Sequence, residues 1–171
     1  MKLTKIQCLA AAVTITLGFG AVAPSTASAQ SLVFGAGFAD FSAGEADDGA
    51  IVSLDYLHTP FWERGALSAG WGATAALTDS GDGFIGGGLA GRYELKNNWF
   101  LEGSVMPGAF FENEPENDLG STFEIRSLIG VGKTLRSGNG ISLAISHKSN
   151  ASTADDNPGL NAITLRWHKP L

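Results

Sequence analysis

The stretch Leu67-Ser68-Ala69-Gly70-Trp71-Gly72-Ala73-Thr74-Ala75-Ala76-Leu77-Thr78 alternates without a break. Leu67, Ala69, Trp71, Ala73, Ala75 and Leu77 take the odd positions, and small or polar residues take most of the even ones. Successive side chains of a strand point to opposite faces, so this run has one apolar and one small or polar face. Its 12 residues exceed the ~5–6 of an ordinary soluble strand and suffice for the ~9–11 that cross a bilayer on a tilt.

Outward from this stretch the same period of two recurs. Val52, Leu54 and Tyr56 stand against Ser53 and Asp55; Trp99, Leu101 and Val105 against Glu102 and Ser104. Phe123, Ile125, Ile129 and Val131 oppose Glu124 and Arg126, and Ile163, Leu165 and Trp167 oppose Thr164 and Arg166. No segment after residue 30 keeps apolar residues at i, i+3, i+4 and i+7, so helices are not expected. Eight strands are predicted, near 31–42, 50–58, 67–78, 83–95, 98–111, 121–136, 140–149 and 160–169.

Three further features choose a membrane barrel over a soluble sandwich. The strand number is even, the polar faces hold charges, and short and long connections alternate. Lys96-Asn97 and Ser137-Gly138-Asn139 are short, and residues 59–62 form a turn with an aromatic anchor; residues 43–49, 112–120 and 150–159 are longer and acidic. Short periplasmic turns and longer outer loops are the pattern of outer-membrane proteins. The expected fold is an all-β, eight-stranded antiparallel transmembrane β-barrel with both termini in the periplasm. Eight strands leave an interior that side chains fill, which excludes a porin. Arg92, Glu102, Glu124, Arg126 and Arg166 have inward parity and are expected to neutralise one another there. Facing lipid at the midplane, an Arg would cost ~2–4 kcal/mol.

Residues 1–29 read differently. Lys2 and Lys5 precede an apolar run from Leu9 to Ala23, and Ala27-Ser28-Ala29 follows. A charged start, a short apolar core and a small-x-small exit make a secretory signal peptide. The barrel then occupies 30–171, 142 of the 171 residues, and is exported to the bacterial outer membrane. The single cysteine, Cys8, leaves with the signal, so no disulfide or cysteine nucleophile is expected. Nine basic against 17 acidic residues remain, a net charge of −8 that argues against a nucleic-acid partner.

Chemistry has few places to sit. His58 and His168 fall at the periplasmic end, and no pair of histidines has metal-ligand spacing, so no metal site is expected. His147 reaches the outer rim. Ile141, Leu143 and Ile145 face lipid, and His147 and Ser149 continue that face. Two residues at i and i+2 lie ~6.5 Å apart along a strand, a gap across which imidazole and hydroxyl can lean together. Asn161, entering on the outward face of the next strand, is expected beside His147. A hydroxyl, an imidazole and an orienting group are what acyl transfer needs.

From Phe123 to Leu171 the chain resembles the PagL-type lipid A 3-O-deacylases, eight-stranded outer-membrane barrels that hydrolyse a lipid A acyl ester. The resemblance rests on Phe123-Glu124-Ile125-Arg126, Gly130-Val131-Gly132, His147-Lys148-Ser149-Asn150-Ala151 and the closing Lys169-Pro170-Leu171. It implies Ser149 as nucleophile, His147 as general base, Asn150 as oxyanion-stabilising group and Phe123 as an aromatic near the substrate. It also implies lipid A as substrate, outer-membrane lipids as surroundings, and no cofactor. The family's glutamate falls on Asn161. An asparagine can orient imidazole but brings no negative charge, which Asp155 or Asp156 in the preceding loop could supply. The outer loops carry many Asp and Glu and no Lys or Arg, which reads first as a solvated, colloidally protective rim; divalent cations bridging them to lipid A phosphates are the alternative. The alternative is a non-catalytic small barrel with an envelope-structural or adhesion role.

Overall fold

The computed structural model describes residues 30–42 and 46–171; the predicted signal peptide lies outside the described residues. The strands are β1 (Ser31–Phe41), β2 (Gly49–Leu57), β3 (Trp62–Arg64), β4 (Leu67–Thr78), β5 (Gly83–Glu94), β6 (Trp99–Phe111), β7 (Phe123–Thr134), β8 (Gly140–Ser149) and β9 (Leu160–Pro170). Every pairing is antiparallel, in the order β2-β1-β9-β8-β7-β6-β5-β4-β3, and a β2–β4 pairing closes the ring. Among the described residues β3 is the one strand outside the predicted set. It pairs with β4 just beyond β2, Trp62 opposite Ala69 and Arg64 opposite Leu67. β2 and β3 thus act as one barrel strand interrupted around Pro60, which has no N–H to give a ladder. The periplasmic turn is therefore at Gly65-Ala66 and not at 59–62, and Gly65 supplies the positive φ of 62°. The architecture is the eight-stranded barrel expected.

The barrel is apolar outside and polar within. Leu165 is 60% exposed while Arg166, its neighbour in the chain, is 2% exposed. Strand parity alone separates them, and lipid covers the outer face. In the middle of the lumen Asp55 accepts hydrogen bonds from Arg126 Nη1 (2.8 Å) and Nη2 (3.0 Å), Arg166 Nη2 (2.8 Å) and Thr74 Oγ1 (2.5 Å). Glu102 lies 3.2 Å from Arg166 Nε and accepts from Ser142 Oγ at 2.5 Å. The predicted mutual neutralisation holds for Glu102, Arg126 and Arg166, with Asp55 at its centre. Arg92 instead pairs with Glu94 at 2.6 Å and stacks on Phe100. Glu124 is fully buried with neither carboxylate oxygen hydrogen-bonded.

Toward the outer end the lumen turns apolar. Ala39, Phe41, Ile51, Phe84, Phe110, Leu119, Leu160 and Ala162 form one buried cluster. The loops above it are cross-linked through Asp82. Its carboxylate accepts from the Asn113 N–H (2.8 Å), the Glu114 N–H (3.3 Å), Ser80 Oγ (2.7 Å) and Asn117 Nδ2 (2.6 Å). Burial raises the Asp82 pKa, but these donors outweigh it and hold the carboxyl below its ordinary value. A plugged barrel with tied loops gives the outer wall a rigid rim on which to place side chains.

Candidate active site

Register, more than sequence spacing, builds the site. His147 on β8 is directly opposite Ser127 on β7 and Asn161 on β9, and Asn161 is opposite Asp40 on β1. All four share outward parity, so one row crosses four strands at one level: Ser127, His147, Asn161, Asp40. Ser149 lies one step nearer the rim, opposite Ile125. Continuing that register, Phe123, exposed on the same face, stands level with Ala151.

His147 is held from two sides. Its Nδ1 is 2.9 Å from Asn161 Oδ1. An amide oxygen only accepts, so Nδ1 carries the proton and Nε2 is left with a lone pair. Gly159, the residue before β9, closes over the ring. A Cβ there would meet His147 Cε1 at 2.9 Å and Nε2 at 3.6 Å, and its φ of +78° already favours glycine. Continuing the register of β8 and β9, Gly159 lies level with Ser149, one step nearer the rim than His147. Ser149 Oγ makes no hydrogen bond to His147 among the described residues; the two share a strand face at i and i+2, as the parity argument requires.

Asn150 differs from expectation. It is fully buried, and its side-chain Nδ2 donates to Leu119 O (3.2 Å) and Asp156 O (2.7 Å). Its Oδ1 accepts from the Ser152 N–H at 2.9 Å. An amide whose two hydrogens are already given to carbonyls has none for an oxyanion. Asn150 instead fixes the loop after β8, in which Ala151 and Ser152 both take positive φ. The Asp156 carbonyl is held by Asn150, and the residue lies close over Gly120. Neither Asp155 nor Asp156 contacts His147 or Asn161 among the described residues.

An apolar groove of about 980 Å³ opens on the outer wall at this row. Leu89, Val105, Ile129, Ile145 and Ile163 line it, and His147, Asn161 and Asp40 form its polar end. Ala69, Gly91 and Gly103 form a shallow stretch nearer the periplasm, where absent side chains lower the wall. A second cavity, about 380 Å³, lies inside the periplasmic half among Arg92, Glu102, Arg166 and His168, away from the site.

Comparisons with known proteins give the family and the fold. The family model described as "Lipid A 3-O-deacylase (PagL)" matches residues 49–170. The chain belongs to the PagL lipid A 3-O-deacylase family. The match reaches well upstream of Phe123, into a half where the sequence shows only strand pattern and glycine content. Among solved structures the chain is similar to the outer membrane enzyme PagL, with a TM-score of 0.68 at 20% identity, covering 82% of this chain and 99% of that one. It is also similar to Neisserial surface protein A, with a TM-score of 0.55 at 8% identity, covering 83% and 97%. At such identities the structural likeness speaks for the fold, an outer-membrane barrel. No curated protein matches.

Three groups in or beside this row escaped the sequence reading: Ser127, Asp40 and Gly159. Parity already puts Ser127 and Asp40 on the outward face. Only the pairing of β7 with β8 and of β1 with β9 brings them beside His147 and Asn161.

Proposed function

We propose that this chain hydrolyses the 3-O-linked acyl ester of lipid A in the outer leaflet of the outer membrane, with Ser149 as nucleophile and His147 as general base. The observation that supports this is the 2.9 Å contact of His147 Nδ1 with Asn161 Oδ1, which leaves Nε2 of the neutral ring as the acceptor on an outward strand face that His147 shares with Ser149. His147 Nε2 takes the Ser149 proton as Oγ bonds to the ester carbonyl carbon. The carbon–oxygen bond to the sugar then breaks, and His147 returns the proton to the leaving sugar oxygen. Water, activated by the same imidazole, releases the acyl group from Ser149. The oxyanion is met by the main-chain N–H of Ala151, presented by the loop that Asn150 ties down. Phe123, level with that loop, borders the substrate, and the acyl chain lies in the apolar groove. No cofactor is needed, and export relies on residues 1–29.

A second reading, a non-catalytic envelope barrel, is favoured by one feature: Asn161 stands where the family resemblance places an acid. An active-site-directed phosphonate separates the two. Catalysis predicts a covalent adduct that peptide mass spectrometry places on Ser149 and that His147→Ala abolishes. A folded barrel without an adduct, or with one on Ser127, would count against Ser149 as nucleophile.

A further inference from the structure

The neutral Asn161 leaves the imidazolium formed during acyl transfer without a counter-charge from its hydrogen-bond partner. The outer wall carries a carboxylate one strand further on. Asp40 is the register partner of Asn161 across the β1–β9 seam, and both line the groove together with His147. The amide is polarised in the required sense. Its Oδ1 faces Nδ1 of His147, and its Nδ2 faces β1, donating to Ser42 Oγ at 3.4 Å. Ser42 and Asp40 are i and i+2 on that edge, and Nδ2 carries two hydrogens. Directly opposed Cα atoms in an antiparallel pair lie ~4.5–5.5 Å apart, within reach of an Asp side chain. The groups facing the imidazole are Ser127 from β7 and Asn161 from β9, with Asp40 behind Asn161 on β1; Asp40 is the charged one. Glu124, Arg126 and Lys148 point into the lumen, where they are buried.

We propose that Asp40 is the positioning carboxylate of this site, completing a His147–Asn161–Asp40 chain in which the amide relays the charge that a directly placed acid would otherwise supply. This rests on the deacylase reading above. Asp40 touches neither substrate nor the reacting atoms; it acts on His147 through Asn161.

The test is a double-mutant cycle on the full barrel in detergent with lipid A, read as kcat and KM separately. Asp40→Asn is expected to lower kcat about tenfold, a loss of ~1.4 kcal/mol of transition-state stabilisation, with KM little changed; Asp40→Glu restores most of it. In an Asn161→Glu background, where a carboxylate meets His147 directly, the effect of Asp40→Asn should shrink below twofold. Equal losses in both backgrounds, or none in either, would overturn the proposal. Nitrogen-15 NMR of the His147 ring supplies a readout free of catalysis. Asp40→Asn should lower its titration midpoint by about half a pH unit, because a nearby anion favours the imidazolium. An unmoved midpoint also overturns it. A wild-type barrel that leaves lipid A intact while the midpoint moves would sink the deacylase reading and leave the coupling of Asp40 to His147 standing.

Discussion

The geometry of one ring decides what this barrel can do, and Gly159 is the least replaceable of its neighbours. A methyl group there must both adopt φ +78° and come within 2.9 Å of His147 Cε1. A non-glycine residue at such φ costs on the order of 1–3 kcal/mol, and the loop relieves it by moving off the imidazole. Gly159→Ala is expected to lower lipid A deacylation more than tenfold while the barrel still migrates as folded on a gel without boiling. Activity within twofold of wild type would show that the loop does not hold the ring. At this scale the sequence was only partly legible. His147, Ser149 and Asn161 share parity that can be counted along the chain, and the structure joins His147 to Asn161 as counting suggested. Asn150 could not be read that way, because its amide hydrogens go to Leu119 and Asp156, which only folding brings near.

At the scale of elements, the outer loops behave as one cross-linked cap. Asp82 in the β4–β5 loop holds the β6–β7 loop through Asn113, Glu114 and Asn117, and Asn117 in turn accepts the Asp47 N–H of the β1–β2 loop at 2.9 Å. The Asp82 carboxyl is held below 3.8. A group whose folded pKa is depressed contributes stability above its unfolded value and loses it as pH falls through the folded one. The cap should therefore persist through neutral and mildly acidic pH and loosen only below the ordinary range of an aspartate carboxyl. The amide signals of Asn113 and Glu114 in detergent should shift together with a midpoint below that of a free aspartate. A midpoint at or above that of a free aspartate would mean that the carboxylate is not carrying the cap. Strand existence and extent were visible in the sequence because period two is a local property. The break at Pro60 was not, since Trp62–Arg64 resumes pairing with β4 only once the β4 edge is in place.

Across the whole molecule, the buried ion pairs are gathered in the lumen while the proposed chemistry is confined to the outer wall. Asp55 is the hub: two arginines and Thr74 converge on it, all nearly inaccessible to water. Removing one partner of a buried ion pair typically costs 3–5 kcal/mol, roughly, because the remaining charge is left unpaired. Asp55→Ala should lower the unfolding free energy by that amount in micelles, measured by urea titration, whereas the exposed Leu165→Val should change it little. Equal small losses would place stability in the lipid-facing wall instead. The inward charges on Glu102, Arg126 and Arg166 were readable from alternation. The inward aromatic cluster of Phe84 and Phe110 beneath the loops was not, because these apolar residues occupy the otherwise polar parity. Separating lumen from wall lets the site work without any enclosed pocket.

The central claim is that Ser149 on the outer wall removes the 3-O-linked acyl chain of lipid A. The most direct measurement is mass spectrometry of lipid A from cells expressing the protein, beside Ser149→Ala and Ser127→Ala. The account predicts loss of one ester-linked acyl chain with the native protein and with Ser127→Ala, and none with Ser149→Ala. Unaltered lipid A in the presence of a folded barrel, or deacylation that survives Ser149→Ala, would contradict it.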